Sequence, residues 1–297
     1  MATRDVDKWN LEFPKPVTAS AESSDAIYRV GFGQSRRSQA VQDICSGLAA
    51  WDIWALLGWQ DIKQRYRRSM LGPLWLTIST AIMIGVLSFL YGALFRLPVD
   101  VYAPFVGVGI VVWNFISMLL NEGCNVFISV EAIVKQVRAP LTLHVCRMVW
   151  RNFVVFLHNA LVVIPIYLVF GKGWHWDLLL VAPALLAIAL NGVWTGIALG
   201  ILCTRFRDIP PIVVNLVQVV FFVTPIMWLP ELLSARGLTW VVSFNPMHHF
   251  VEIVRAPVLG TPVPLLSWAV VAAVSVVGWL IALALLERFR HRVPYWL

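Results

Sequence analysis

Six long runs of the sequence contain no Asp, Glu, Lys or Arg, and they limit the possible folds more than any other feature. Each run has 19 to 25 residues, close to the roughly 20 that a helix needs to cross a hydrocarbon core of about 30 Å. Strands of a membrane barrel are shorter, about 10 residues, and alternate strictly, so the runs predict helices. The six predicted spans are residues 74–95, 101–120, 152–170, 178–202, 209–230 and 263–286.

The composition excludes a soluble fold. Of the 297 residues, 59% are apolar and 13% are charged, and the mean hydropathy is +0.77. A water-facing surface needs more polar cover than this composition provides. The predicted fold class is an all-α integral membrane protein with six transmembrane helices, which form one domain over residues 46–297.

The loops between the spans carry their cations mainly on one side. If the N-terminus is cytoplasmic, the segments on that side hold 19 Lys and Arg, and the outer segments hold 4. Cytoplasmic loops of membrane proteins carry the excess of Lys and Arg. Both termini are therefore predicted to be cytoplasmic.

The part of the chain before the first span divides in two. Residues 1–45 are polar, and they are predicted to form a mobile cytoplasmic tail. Residues 46–70 predict a helix that ends in basic residues and contains three Trp, which favours an interfacial helix on the inner leaflet. A soluble helix packed on the same protein is the alternative. One face of this helix holds Leu48, Trp51, Ala55, Trp59, Ile62 and Tyr66.

The cytoplasmic loop after the second span is long for a connection between helices. Between Val130 and Arg138, apolar and charged residues alternate with helical spacing, and Pro140 ends the pattern. The loop therefore predicts a short amphipathic helix. Such a helix could be a lever for a partner, or it could be a solvated turn.

The outer segment 231–262 also predicts a helix. Asn245 followed by Pro246 is typical of a helix start, and the helix should run through Arg255 before Pro257 breaks it. The segment has too much apolar content to lie freely in water. We expect it to enter the outer leaflet against the bundle.

The sequence lacks the motifs of an ATPase or a metal enzyme. It has no G-x-x-x-x-G-K-[ST] phosphate loop, no H-E-x-x-H and no C-x-x-C. The adjacent His248 and His249 point to different helix faces, so no metal site is expected. Spans without Asp, Glu, Lys or Arg argue against proton-coupled transport. The scattered basic residues suit anionic lipid headgroups and give no indication of nucleic-acid binding.

Five stretches resemble the permease subunits of ABC transporters that export polysaccharides of the O-antigen type. They occur in the expected order on the expected topology and cover roughly residues 46–297. The stretches are RYRRSMLGPLWLTIS (65–79), KQVRAPLTLH (135–144), RFRDIP (205–210), FFVTPI (221–226) and NPMHHFVEIVRAPVLG (245–260).

This resemblance implies one half of a type-2 ABC exporter. Two copies of the chain would form the pore, and two copies of a separate ATPase subunit would bind ATP and Mg²⁺ below it. No cofactor is expected in this chain. The resemblance places contacts with the ATPase in the interfacial helix and the cytoplasmic loops. The residues predicted to make them are Trp51, Asp61, Glu131, Lys135, Arg138, Arg205, Arg207 and Asp208.

The remaining site predictions concern the path of the substrate. Sugars stack on aromatic rings and bond to amides, so the predicted channel lining is Phe89, Tyr91, Trp113, Phe115, Asn215, Gln218, Phe221 and Phe222. The alternative is that these aromatic residues pack internally or face lipid. The resemblance places an outer gate at Asn245, Pro246 and Phe250.

A basic cluster precedes the first span. Arg65, Arg67 and Arg68 could bind the phosphates of a lipid-linked glycan, or they could anchor the protein to the membrane surface.

The predicted function is therefore the export of a lipid-linked polysaccharide across the bacterial inner membrane, in which the chain would be a multi-pass protein. A capsule or teichoic-acid exporter is the nearest alternative, and a small-molecule efflux permease is a more distant one. A membrane glycosyltransferase or acyltransferase would need a convergent set of carboxylates or histidines, which the sequence does not contain.

Overall fold

The computed structural model describes residues 36–67, 74–137, 139–171, 173–231 and 237–297, and the chain is helical through most of these ranges. Within these ranges, five stretches are long and apolar enough to cross a membrane, and a sixth apolar helix is shorter. These elements are α3 (Leu74–Phe95), α4 (Val99–Cys124), α6 with α7 (Leu141–Ala160 and Val163–Phe170), α8 (Val181–Arg205), the shorter α9 (Ile209–Val223) and α12 (Leu265–Phe289).

Shorter helices lie before, between and after the spans. They are α1 (Arg36–Ala49), α2 (Trp51–Tyr66), α5 (Glu131–Gln136), α10 (Thr239–Ser243), α11 (Pro246–Leu259) and α13 (Val293–Trp296).

The membrane helices confirm the all-α fold, and they correct two of the predicted spans. The fifth span was predicted to reach residue 230, but α9 ends at Val223 because Thr224, which precedes Pro225, is extended (ψ 135°). The third was predicted to begin at residue 152, but α6 begins at Leu141. Arg147 and Arg151 lie within α6, so the uncharged run begins only after them.

Helix α4 is the centre of the bundle. It is 78% buried over its most apolar stretch, whereas the other four long spans are 22–28% buried. It contacts α3, α6, α7, α8, α9 and α11. At its inner end, a Cβ on Gly123 would lie 3.3 Å from the Cα of Gly196 on α8, so glycine permits the two helices to meet here.

The outer segment folds back into the bundle. Asn245 caps α11 by accepting a hydrogen bond from the Met247 N–H at 3.0 Å, as its sequence predicts. The helix continues past Pro257 to Leu259, beyond the predicted break, because a proline in the last turn removes only one backbone bond. Helix α11 packs against α4, α8 and α12.

The N-terminal helices pack on the cytoplasmic part of the bundle. Helix α1 contacts α6 and α12, so the described part of the predicted tail, residues 36–45, is helical and packed. Helix α2 contacts α6 through a side that includes buried Gly58 and Ile62, while Trp51 remains 67% exposed. It thus packs on its own protein and also presents aromatic residues outward. Residues 1–35 and 68–70 lie outside the described ranges.

Candidate functional site

Helix α5 presents charged and apolar side chains on the cytoplasmic side. Glu131 and Lys135 form an i, i+4 ion pair at 2.5 Å and are both more than 40% exposed. This hydrogen bond and the Lys135 charge hold the pKa of the Glu131 carboxyl below its usual value. Ile133 is also exposed. The predicted amphipathic helix is present, but it ends at Gln136 because Val137 is extended; Arg138 lies outside the described residues.

The loop between α8 and α9 lies beside α5. The positive charge of Arg207 in this loop adds a smaller effect to that of Lys135 in holding the pKa of the Glu131 carboxyl below its usual value. Arg207 and Asp208 are exposed, and the Arg205 guanidinium lies 5.4 Å from the centre of the Trp296 ring in α13. Helix α13 contacts both α5 and α8. We call α5, residues 205–208 and α13 together the cytoplasmic patch. It unites five of the predicted ATPase-contact residues, and α13 adds to it an element that sequence reasoning missed.

Asp61 lies elsewhere, in an internal ion-pair network. Its carboxylate accepts hydrogen bonds from Arg147 at 2.5 and 2.8 Å and from Arg151 at 2.9 Å, and its side chain is only 14% exposed. Asp61, which was predicted to contact the ATPase, is thus engaged with two arginines of its own chain. Trp51, predicted with it, is exposed at the start of α2.

The network continues to the inner end of α4. Arg151 pairs with Glu122 at 2.6 Å, and Arg65 pairs with the same carboxylate at 3.2 Å. Three helices are thereby joined: α2 by Asp61 and Arg65, α4 by Glu122, and α6 by Arg147 and Arg151. A cavity of about 570 Å³ adjoins these groups. Arg147, Arg151 and Glu122 were missed, although the i, i+4 spacing of the two arginines was visible in the sequence.

The pairing changes the acidity of Asp61. Burial alone raises the pKa of its carboxyl, but the hydrogen bonds and charges of Arg147 and Arg151 outweigh burial and hold the pKa below its ordinary 3.8. Asp61 is thus an anion at neutral pH, and its charge is compensated within the protein.

The basic cluster before the first span is divided by the structure. Arg65 is half exposed and paired with Glu122, whereas Arg67 is exposed. Arg68 lies outside the described residues. Arg67 therefore has the freer side chain for binding an anion at the membrane surface.

The predicted channel-lining residues fall into two groups. Phe115 is 1% exposed and packs between Phe153 and Phe156. Trp113 is 5% exposed and lies 5.7 Å from the partly buried Phe221, measured between ring centres. These side chains pack in the interior of the chain, which is the stated alternative to channel lining. Apolar runs do not reveal which face of a helix a residue occupies.

The other predicted lining residues lie at the surface of α3 and α9. Phe89 on α3 is 78% exposed, and Phe222 on α9 is 59% exposed. Asn215 and Gln218 on α9 are exposed as well, while Tyr91 is partly buried beside Phe95. The polar residues of α9 thus share an open surface with large apolar ones.

The predicted outer gate is packed in place. Phe250 is 5% exposed, and Asn245 donates a hydrogen bond to the Thr224 hydroxyl at 2.9 Å. Tyr102 on α4 also donates to the Met227 carbonyl. The segment that follows α9 is therefore tied to both α11 and α4. Pro246 occupies the first turn of α11 as predicted.

An ion pair that the sequence did not reveal lies beside this gate. Arg255 is 1% exposed; it bonds to Glu252 at 2.6 Å and to the Pro225 carbonyl at 2.7 Å, and its guanidinium lies 4.0 Å from the Phe105 ring centre. The predicted spans are uncharged, but α11 brings the Arg255 guanidinium into contact with α4. Burial of an arginine is tolerated here because its donors have partners.

The geometry defines a class of protein: a multi-pass helical membrane protein in which the short helix α11 packs back against the spans and charged side chains gather in one patch. The sequence matches the ABC-2 type transporter family over residues 53–259. The chain therefore belongs to the ABC-2 type transporter membrane family. Proteins of this family are transport permease subunits, which implies a non-enzymatic role and an ATPase partner. Among the described residues, no cluster of His, Cys, Asp and Glu could hold a metal ion.

Two curated relatives carry the same name. The O-antigen export system permease protein RfbA of Klebsiella pneumoniae is 22% identical over 201 residues, which cover 66% of this chain and 76% of the relative. The O-antigen export system permease protein RfbA of Myxococcus xanthus is 25% identical over 191 residues, which cover 63% and 73%.

Proposed function

We propose that this chain is the pore-forming permease subunit of an ATP-driven exporter of lipid-linked polysaccharide of the O-antigen type. It would move the glycan from the cytoplasmic to the outer side of a bacterial inner membrane. Membership of the ABC-2 family carries the proposal, and the names of the relatives support the substrate class. ATP and Mg²⁺ would be bound by the separate ATPase subunit.

The cytoplasmic patch is the proposed docking surface for that ATPase. Helix α5 projects exposed charges and Ile133, and Arg207 and Asp208 lie beside it. Trp51 on α2 provides a second exposed contact. When ATP draws two ATPase subunits together, a push on α5 would be transmitted to α6, and the membrane helices would move as a rigid body.

The pore would form between two copies of the chain. Helices α3 and α9 are covered on one side by α4 and leave Phe89 and Phe222 exposed on the other. Asn215 and Gln218 on α9 would offer amides to sugar hydroxyls. Release outward would require the segment tied by Asn245, Tyr102 and Arg255 to move away from the bundle.

The lipid phosphates would lie near the start of α3 before export. Arg67 is exposed at the end of α2 and is the described residue best placed for this role, while Arg65 could exchange Glu122 for a phosphate. Plain anchoring to anionic lipid is the competing role. Replacing Arg65 and Arg67 by Gln and measuring binding of lipid-linked glycan in detergent separates the two, because anchoring predicts unchanged binding.

Deletion of the gene tests the function in cells. Surface polymer should disappear and the lipid-linked glycan should accumulate at the cytoplasmic face of the membrane, and the wild-type chain should reverse both changes. Chemical identification of the accumulated glycan distinguishes O-antigen from capsule or teichoic acid. Persistence of all surface glycans, with altered sensitivity to small molecules, would instead indicate an efflux permease.

A further inference from the structure

Asp43 on α1 joins three distant segments of the chain. Its side chain is fully buried, and its carboxylate accepts hydrogen bonds from the Leu141 N–H at 3.1 Å and from the Thr142 N–H at 3.0 Å. The Thr142 hydroxyl donates to it at 2.8 Å. The Arg290 guanidinium, just past α12, pairs with it at 2.9 Å.

The first two bonds make Asp43 a helix cap supplied from elsewhere in the chain. Helix α6 begins after Pro140, which provides no side-chain cap of its own, and the first N–H groups of a helix need acceptors. A carboxylate at this end also interacts favourably with the helix dipole. Because the cap comes from a residue 98 positions earlier, α1 and the start of α6 are held together.

The contact with α12 is equally specific. Arg290 also donates to the Gln39 carbonyl at 3.1 Å, and His291 bonds to the Gln39 side chain at 2.8 Å. Helices α1 and α6 approach closely beside these bonds, since a Cβ on Gly47 would lie 2.6 Å from the Thr142 Cβ. The end of α12, the middle of α1 and the first turn of α6 therefore form one packed joint.

This joint lies where α5 is connected to the membrane helices. Helix α5 ends at Gln136, and only residues 137–140 separate it from Leu141. We propose that Asp43 is a positioning residue for energy coupling. It holds the start of α6, which follows α5 in the chain, so that a push on α5 moves α1, α6 and α12 together. Without it, the first turn of α6 would open locally and absorb the displacement. The inference rests on the proposed function, in which an ATPase pushes on α5.

Two substitutions probe the joint from opposite sides. Asp43→Asn removes the charge but keeps an oxygen that can accept from the α6 amides, and Arg290→Gln removes the same ion pair from a side chain that is 30% exposed. The second variant keeps the test valid if the first fails to fold. Asp52→Asn is the matched control, because Asp52 is an exposed acid in the first turn of α2.

The test uses the complete complex of permease and ATPase in proteoliposomes loaded with lipid-linked glycan. Asp43→Asn and Arg290→Gln should each lower the glycan exported per ATP hydrolysed at least threefold, and the double variant should lower it no further than the stronger single one. The control should match the wild type. A purely structural role predicts less assembled complex with an unchanged ratio, and that result would overturn the proposal.

A second readout does not depend on transport. In the wild-type complex, ATP should change the hydrogen exchange of the amides at the start of α6, and this change should be lost in Arg290→Gln. Retention of the change in the variant would overturn the coupling role. If the wild-type complex exports no glycan, the proposed function fails, while hydrogen exchange still decides whether Asp43 and Arg290 couple α5 to α6.

Discussion

Several charged side chains in this protein are held by partners that lie far away along the chain. Asp43 is a buried acid and Asp61 a partly buried one in the N-terminal helices, and both accept hydrogen bonds from residues of α6. Arg255 depends on a carbonyl of the segment after α9. Charged residues at such positions hold helices together and are costly to remove one partner at a time.

Arg255 is expected to be the most sensitive of these residues. Arg255→Gln would leave Glu252 without its counterion and the Pro225 carbonyl without its donor. The free energy of unfolding should fall by about 3 kcal/mol, the usual effect of breaking a buried ion pair. Denaturant unfolding of the purified chain in detergent measures this. Arg207→Gln, at an exposed position, is the control and should change stability by less than about 0.5 kcal/mol.

The ion pairs of Asp61 should make the free energy of unfolding depend on pH. Because the pKa of Asp61 is lowered in the folded chain, its contribution is fully present above the ordinary value of 3.8 and is lost as the pH falls through the folded value. Asp61→Asn should therefore be less stable than the wild type at pH 7, by about 2 kcal/mol. The difference should shrink below about pH 4. Melting curves from pH 7 to pH 3 measure it, and a constant difference would contradict the assignment.

The helices were predictable where the information is local. The uncharged run 74–95 has the same bounds as α3, and Asn245 with Pro246 predicted the start of α11. Both signals are local, because an apolar run and a helix cap are each defined by neighbouring residues. The start of α6 was missed because Arg147 and Arg151 are compensated by Asp61 and Glu122 on other helices. The burial of Phe115 and exposure of Phe89 could not be read from runs that are apolar on every face.

The contact between α4 and α8 can be tested with paired glycine substitutions. Gly123→Ala places a Cβ 3.3 Å from Gly196 and should destabilise the chain by about 1–2 kcal/mol through overpacking. Gly85→Ala on α3 meets nothing within 4 Å, so it should be neutral or stabilise by about 0.5–1 kcal/mol. Unfolding in detergent compares them, and equal effects would show that the close approach is unimportant.

Helix α5 can be tested without destroying its internal ion pair. The double substitution Glu131→Lys with Lys135→Glu keeps an i, i+4 pair but reverses the charges offered to a partner. We expect melting of the isolated chain to stay within about 1 °C of the wild type. Co-purification with the ATPase subunit should fall at least fivefold. Asp177→Lys, at an exposed position on the outer side, should co-purify normally. Normal recovery of the double variant would exclude these charges from docking.

The helices of the molecule differ in how far their neighbours cover them. Helix α4 is surrounded by its neighbours, while α3 and α9 are open on one side. Charged groups gather at the cytoplasmic end, in the cytoplasmic patch and the network of Asp61. This distribution suits the proposed role of a passive pore half that receives force from a separate ATPase subunit.

Reconstituted transport tests most directly whether this chain provides the pore and a separate ATPase provides the energy. Proteoliposomes would contain the permease chain, the ATPase subunit or both, with lipid-linked glycan in the outer leaflet facing the ATPase. Glycan should reach the protected side only when both proteins and hydrolysable ATP are present, and an ATPase variant that binds but does not hydrolyse ATP should support no repeated turnover. ATP-independent movement of glycan by the permease alone, or none with both proteins and ATP present, would contradict the proposed function.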